Sequence, residues 1–478
     1  MHLTNQSANP WFRTSQPKPQ ARLRLFCFPY AGGAASIYRT WPQHLPADVE
    51  VCAVQLPGRE NRIQEQPFSD MGELVAALLA NLLPYLDKPF ALFGHSMGAL
   101  IAYEVAQALQ RAGSPQPSQI FVSGRRAPTL PERDPPLHGQ PTDDALLLAI
   151  QQRYNNLPAI LLQDAELKAL YAPLLRADFT LVERYQPSSL APLACPISAF
   201  GGDADPFASE AELQGWHSLI ASRFALQLFA GAHFYLQEQS VPLLKRIGEH
   251  LCSADERAFI GRAIMQAVDR PGLRQVVLQG QGDLGNDQPI APTSPFWANL
   301  PIPQQDIGKA KELLAAAGYP DGVSVTLVIA EIAPSLVAAA VALQEMVKPA
   351  GITIELERVA VDVFWVQYSM QVPFFVSYWF NPLDPDQLLS TVYQSTAPFN
   401  ESGWQSPELD ALIEAGRIEP DLAKRTAIYA QAQQLISEQG CVIIPYYRPL
   451  LVAATTAVQN LRQELVYSGA RDVWLAPA

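Results

Sequence analysis

Charge is scarce in this chain. Only 17% of its 478 residues are Asp, Glu, Lys or Arg, and neither half has a basic excess. Lys and Arg number 19 against 22 Asp and Glu in residues 1–254, and 14 against 24 in residues 255–478, so neither part has the basic footprint of a nucleic-acid binder. Cysteine is sparse too. The five present (Cys27, Cys52, Cys195, Cys252, Cys441) are odd in number, widely spaced and without a Cys-x-x-Cys pair. That pattern excludes a disulfide framework or a cysteine metal site and points to reduced, packed thiols. No apolar run reaches the roughly 20 residues of a membrane span, and the polar start, Met1 to Ser7, lacks the basic-then-apolar order of a secretion leader. A cytoplasmic protein with no membrane insertion, metal or cofactor is therefore expected.

What is abundant is apolar side chain. At 49% hydrophobic residues the chain can bury large cores, and its length argues for two or three domains. Residues 1–20 read as a flexible tail, and Leu23 to Phe28 as the first strand. Further apolar strands fall at Val49 to Leu56, Phe90 to Phe93, Gln119 to Gly124, Pro196 to Phe200 and Phe224 to Phe229, with helix-period stretches at Met71 to Tyr85 and Ala99 to Gln110. Strands alternating with helices predict an α/β fold, a mainly parallel sheet with helices on both faces. The rhythm breaks between about 128 and 186, where two helical runs, Asp143 to Tyr154 and Asp164 to Leu175, occur without a strand. An insertion at that edge of the sheet is expected to form a lid that controls access to a site.

Gly94-His95-Ser96-Met97-Gly98 sits between a strand and a helix. A Gly-x-Ser-x-Gly run there bends the backbone sharply and pushes the Ser96 hydroxyl out above the sheet. A hydroxyl is a weak nucleophile at neutral pH and needs a base. Of seven histidines, His233 alone follows a strand end in a Gly-Ala-His-Phe context. The Gly-Gly-Asp-Ala-Asp turn after the preceding strand offers a carboxylate behind the imidazole, Asp203 or Asp205, and spacing does not choose between them. Two backbone N–H groups, those of Ala31 in the Gly-rich turn after the first strand and of Met97, are placed to receive a developing oxyanion. The order Ser, Asp, His is that of α/β-hydrolases.

Six blocks, Phe28 to Gly33, Leu56 to Glu60, Gly94 to Gly98, Ser123 to Pro128, Leu175 to Phe179 and Gly231 to Phe234, resemble the type II thioesterases that accompany nonribosomal peptide and polyketide synthetases. The resemblance covers residues 22–251, within a domain placed at 21–253. It implies Asp205 as the triad acid, Asp203 as a turn residue, and carrier domains bearing phosphopantetheine as partners. It also implies an editing reaction, the hydrolysis of acyl thioesters stalled on the phosphopantetheine arm. Two other functions fit the residues: an esterase or lipase of free small esters, and a solute-binding or docking protein with an inert hydrolase half.

Residues 255–478 read as a second α/β module. Helices are expected over 255–275, ending at Pro271, over Asp306 to Ala317 and over Pro334 to Ala350; strands over Val323 to Ala330, Ile352 to Val359 and Phe374 to Phe380. Arg262 to Arg270, Lys309 to Gly322 and Asp384-Pro385-Asp386 are similar to the C-terminal half of the extracellular solute-binding proteins of the peptide, nickel and opine type. The family's N-terminal half has no counterpart here, so the resemblance implies one partial lobe. Trp379, Asn381 and Asp384 are the candidate ligand contacts. Asn381 stands where peptide-binding members carry an Asp, which removes the charge that pairs with a peptide's amino group.

Overall fold

Six apolar runs bounded by Gly, Pro and polar turns, with one short N-terminal segment, become the strands of one sheet. In the computed structural model they are β1 (Phe12–Arg13), β2 (Leu23–Phe28), β3 (Val49–Val54), β4 (Phe90–His95), β5 (Gln119–Ser123), β6 (Ile197–Gly202) and β7 (Phe224–Phe229). Their order is β1-β3-β2-β4-β5-β6-β7; β1 is antiparallel to its neighbour and all other pairs are parallel. The register sets Phe28 beside Gly94 and His95 beside Ser123, so the C-terminal ends of β2, β4 and β5 share one rim. The structure describes residues 9–252, 254–370, 372–379, 384–440 and 442–448, with the pairs 458–459 and 474–475. The chain divides into two units, Met1–Arg257 with Ala360–Phe375 and Ala258–Val359 with Val376–Ala478.

Strands β3, β4 and β5 are buried at every residue because apolar helices cover both faces. On one side lie α1 (Met71–Leu82) and α2 (Met97–Arg111). Asp70 caps α1 by accepting the Glu73 N–H at 2.9 Å, and Met71, Leu74, Val75, Leu78 and Leu82 recur at helical spacing on its buried face. Between β5 and β6 the chain leaves the sheet for α3 (Asp143–Tyr154) and α4 (Ala165–Glu183). These helices share a small core of their own, Leu146, Leu147, Ile150, Ala172, Leu175 and Phe179. Helix α4 runs two turns past the expected end at Leu175 and carries Pro173 inside it; burial of Leu181 and Val182 in the sheet core offsets the lost helical hydrogen bond. After β6 come α5 (Glu210–Gln214), α6 (Tyr235–Glu238) and α7 (Ser240–Leu251). Leu243, Leu244, Ile247 and Leu251 of α7 pack with Tyr38, Trp41, Phe93 and Phe121 on the opposite face of the sheet.

The stretch expected to be a loose tail is fixed from Trp11 onward. Phe12 pairs with Val54, Trp11 and Phe12 are buried in the sheet core, and the Gln55 N–H donates to the Trp11 carbonyl at 2.8 Å. Cys27, Cys52 and Cys195 are free and buried. Burial drives the Cys27 thiol well above its ordinary pKa and the Cys52 and Cys195 thiols up to about 12.

The second unit contains a parallel pair, Val323–Ala330 with Ile352–Val359, joined through the helix Pro334–Met346 as a βαβ crossover. Both strands have the expected limits. Pro271 does not end a helix. One helix closes at Ala267 and another, Arg270–Leu278, begins with Pro271 in its first turn, where a missing N–H costs nothing, and with Asp269 accepting the Gly272 N–H at 3.1 Å. The strand expected over Phe374 to Phe380 is absent from its described residues. Phe375 makes a single bridge and the Val376 N–H donates to the Val328 carbonyl, 3.1 Å away, without a continued ladder; an apolar run lacking alternation does not by itself find a ladder partner. Phe380 lies outside the described residues.

Phe12→Ala is expected to destabilise the first unit by about 3 kcal/mol, read from its urea transition in the full chain; a loss under about 0.5 kcal/mol would count against the anchored N-terminus.

Candidate active site

Strand β4 gives way to α2 in a single residue. Ser96 occupies φ 55°, ψ −113°, a backbone region that costs a non-glycine residue on the order of 1–3 kcal/mol. Its N–H donates to the Ser123 carbonyl at 2.8 Å. A Cβ at Gly94 would stand 1.9 Å from the Gly98 carbonyl oxygen, and one at Gly98 would stand 2.1 Å from the Phe28 carbonyl oxygen. Both glycines are thus demanded by backbone contact, and the second brings the first turn of α2 against the loop that leaves β2.

His233 follows β7 and Asp205 follows β6. Ser96 Oγ lies 3.2 Å from His233 Nε2, and His233 Nδ1 lies 2.9 Å from Asp205 Oδ2. A carboxylate only accepts, so Nδ1 carries the hydrogen and Nε2 is free to accept the Ser96 hydroxyl proton. His233 and Asp205 are buried, and Ser96 is half-buried. Asp205 Oδ1 also accepts the Phe207 N–H at 2.8 Å. Asp203 faces elsewhere: its Oδ1 accepts the Gly231 N–H at 2.9 Å, and the Ala204 N–H donates to the Gly231 carbonyl at 3.0 Å. Gly202 permits this meeting of two loops, since a Cβ there would stand 2.3 Å from the Gly231 oxygen. Asp203 therefore ties the His233 loop to β6, and Asp205 meets the imidazole.

His95 is fully buried, and burial first, then the neighbouring His233, hold its pKa well below the ordinary value. It stays neutral, with Nδ1 2.8 Å from Ser123 Oγ, itself 2.6 Å from the Tyr235 hydroxyl.

Neither the Ala31 nor the Met97 N–H donates a hydrogen bond within the described chain. The loop around Ala31 is nonetheless firmly held. The Gly33 N–H donates to the Tyr30 carbonyl at 2.8 Å, the Gly32 N–H to Asp178 Oδ2 at 2.7 Å, and Arg59 Nη1 to the Gly33 carbonyl at 2.8 Å. Arg59 and Asp178 form a buried two-pronged pair, Nη2 to Oδ1 at 2.8 Å and Nη1 to Oδ2 at 3.2 Å. Helix α4 supplies Asp178; α3 supplies Tyr154, whose ring centre is 5.5 Å from that of His233. Phe207 and Phe234 flank the imidazole at 5.3 and 5.1 Å. Burial lifts the Tyr154 phenol to about 12, so this wall is neutral.

Of the second unit's candidates, Trp379 and Asp384 have partners within the unit. Trp379 is partly exposed, and its Nε1 donates to Glu401 Oε2 at 3.1 Å. Asp384 caps a short helix by accepting the Asp386 N–H at 3.0 Å and pairs with Arg425 at 2.7 Å, so its carboxylate is engaged within the unit. Asn381 lies outside the described residues. Among the described residues no group of three or more His, Cys, Asp or Glu could hold a metal ion, and no helix is long and apolar enough to cross a membrane.

Sequence reading missed Tyr154 and the contact between Arg59 and Asp178. Both members of that pair stand inside blocks carried by the family resemblance, which marks the positions but not that they touch.

Residues 23–251 match the family model for the thioesterase domain, and residues 259–400 match that for the middle part of bacterial extracellular solute-binding proteins, family 5. Gramicidin S biosynthesis protein GrsT of Aneurinibacillus migulanus is 38% identical over 237 residues, 50% of this chain and 92% of that protein. Thioesterase PikA5 of Streptomyces venezuelae is 37% identical over 249 residues, covering 52% of this chain and 87% of its own. The solved RedJ thioesterase of the prodiginine pathway in Streptomyces coelicolor is 40% identical, with a TM-score of 0.45, covering 48% of this chain and 86% of that one. Residues 23–251, ahead in sequence of a segment that resembles solute-binding proteins in part, form an α/β-hydrolase domain by which the chain belongs to the type II thioesterase family of nonribosomal peptide and polyketide synthesis.

Proposed function

We propose that this protein hydrolyses acyl groups from the phosphopantetheine thiol of carrier domains, an editing reaction of a peptide or polyketide assembly line. The observation that carries the reading is the relay from Asp205 through His233 to Ser96, with separations of 2.9 and 3.2 Å. Ser96 Oγ attacks the thioester carbonyl as His233 Nε2 takes its proton; Asp205 holds the tautomer and stabilises the imidazolium. The oxyanion of the tetrahedral intermediate is received by the unengaged N–H groups of Ala31 and Met97. Collapse expels the pantetheine sulfur as a thiolate, which takes the proton from the imidazolium as it departs and leaves as a thiol, returning His233 to the neutral base. A thiol with a pKa of about 8.5 leaves readily, so the imidazolium need contribute little acid assistance. Water, deprotonated by His233, then attacks the acyl-Ser96 carbonyl, and the proton returns to Ser96 as the free acid departs. The second unit takes no part in this scheme.

Incubated with a fluorophosphonate, the full chain is expected to label at one serine and Ser96→Ala not at all. Labelling that persists in Ser96→Ala would remove Ser96 from the scheme. Release of acetate from an acetylated carrier domain is expected to outpace hydrolysis of a matched free oxoester, and equal rates would favour a general esterase instead. Asp205→Asn is expected to lower kcat by about 10²–10⁴-fold, because an amide cannot fix the productive tautomer. Asp203→Asn keeps the oxygen that accepts from Gly231 and is expected to stay within about threefold of the parent; the reverse order would exchange the roles of the two residues.

A further inference from the structure

Resting on the proposed role of Ser96 as nucleophile, we infer that Arg59 and Asp178 are positioning residues that couple the lid to the oxyanion-binding loop and hold the Ala31 N–H on the reacting carbonyl. A buried ion pair adds little net stability, because desolvating both charges offsets their attraction, and its best use is to fix one geometry. This pair is 3% and 2% exposed at its side chains, and its hydrogen bonds are spent on the loop. Asp178 takes the Gly32 N–H, Arg59 takes the Gly33 carbonyl, and Arg59 Nε reaches the Pro57 carbonyl at 3.3 Å. The first and third peptide groups after Ala31 are thereby oriented, through the Gly32 N–H and the Gly33 carbonyl, and the second through the Gly33 N–H on the Tyr30 carbonyl. The Ala31 N–H itself is left unengaged and available to a ligand.

The same helix that carries Asp178 also limits the loop sterically. Gly32 has φ +76°, and a Cβ there would stand 2.8 Å from Leu175 Cδ2, three residues earlier on α4. Ala31 packs against both the sheet core and the lid core. Displacement of α4 cannot leave the loop unaffected, because the carboxylate that orients Gly32 moves with the helix. A lid helix docked through Asp178 therefore assembles the oxyanion site, and a lid helix lifted away releases it.

The test separates positioning from folding. Replacing both charges together, Arg59→Met with Asp178→Leu, leaves no unpaired buried charge, so the double variant is expected to fold as stably as the parent. Its kcat on an acyl-pantetheine thioester is expected to fall about 100-fold, with KM within about threefold. Affinity for an alkyl boronic acid, whose tetrahedral serine adduct needs the same N–H donors, is expected to fall in step. Asp178→Ala, which removes the acceptor of the Gly32 N–H while Arg59 keeps the Gly33 and Pro57 carbonyls, is measured beside it and keeps the inference falsifiable if the double variant does not fold. A folded variant of either kind with parental kcat and boronate affinity would overturn the inference, as would a kcat loss accounted for by unfolded protein alone. Boronate binding requires no acyl substrate. A parent chain that binds boronate yet releases nothing from acylated carriers would therefore remove the proposed reaction and leave the coupling standing.

Discussion

Strand β4 turns into helix α2 without an intervening loop, which requires two stretches of backbone to touch where any side chain would hold them apart. Gly94 lies on the Gly98 carbonyl, and Gly98 on that of Phe28. From these contacts follow the left-handed backbone of Ser96, the start of the helix at Met97 and the nearness of that first turn to the loop bearing Ala31. A third contact, Gly202 against Gly231, does the same for the loops of Asp205 and His233. The rim of the sheet is in effect a joint made of main chain, and the reactive side chains are fixed by being next to it. The strain at Ser96 is sustained because the parallel strands on either side of β4 are buried and paired along their length.

Much of this was legible from residue order. Ser96 and His233 each stand one or a few residues past an apolar strand, in contexts whose glycines already imply sharp turns. The choice between Asp203 and Asp205 was not, since both lie in one turn and only the hydrogen bonds to Gly231 and His233 tell them apart. Strand β1 escaped notice because a two-residue strand has no periodicity, and its flanking prolines read as a tail. Pro271 looked like a terminator because the same residue serves a helix end and a helix start; the cap from Asp269 decides which. The partnership of Arg59 and Asp178 spans 119 residues of chain, a distance at which spacing carries no information.

The second unit shows where pattern alone stops. Its βαβ crossover appears with the expected strand limits, because β-branched and apolar residues following Gly322 and Gly351 define those strands well. Two of its candidate ligand contacts, Trp379 and Asp384, are each satisfied by partners of their own, Glu401 and Arg425. Resemblance to a family transfers a scaffold more readily than a site, since a site needs several side chains left without internal partners, and the scaffold needs only its core.

The burial of cysteine in the first unit has a chemical sequel. In the reaction proposed above, a nucleophilic thiol is freed beside acyl-Ser96, and any accessible thiolate of the protein could intercept the acyl group or be captured as a mixed disulfide. Cys27, Cys52 and Cys195 are sequestered, and burial keeps their sulfur protonated far above neutral pH. These three are bystanders to sulfur exchange, which leaves water to compete for the acyl-serine without rivalry from them.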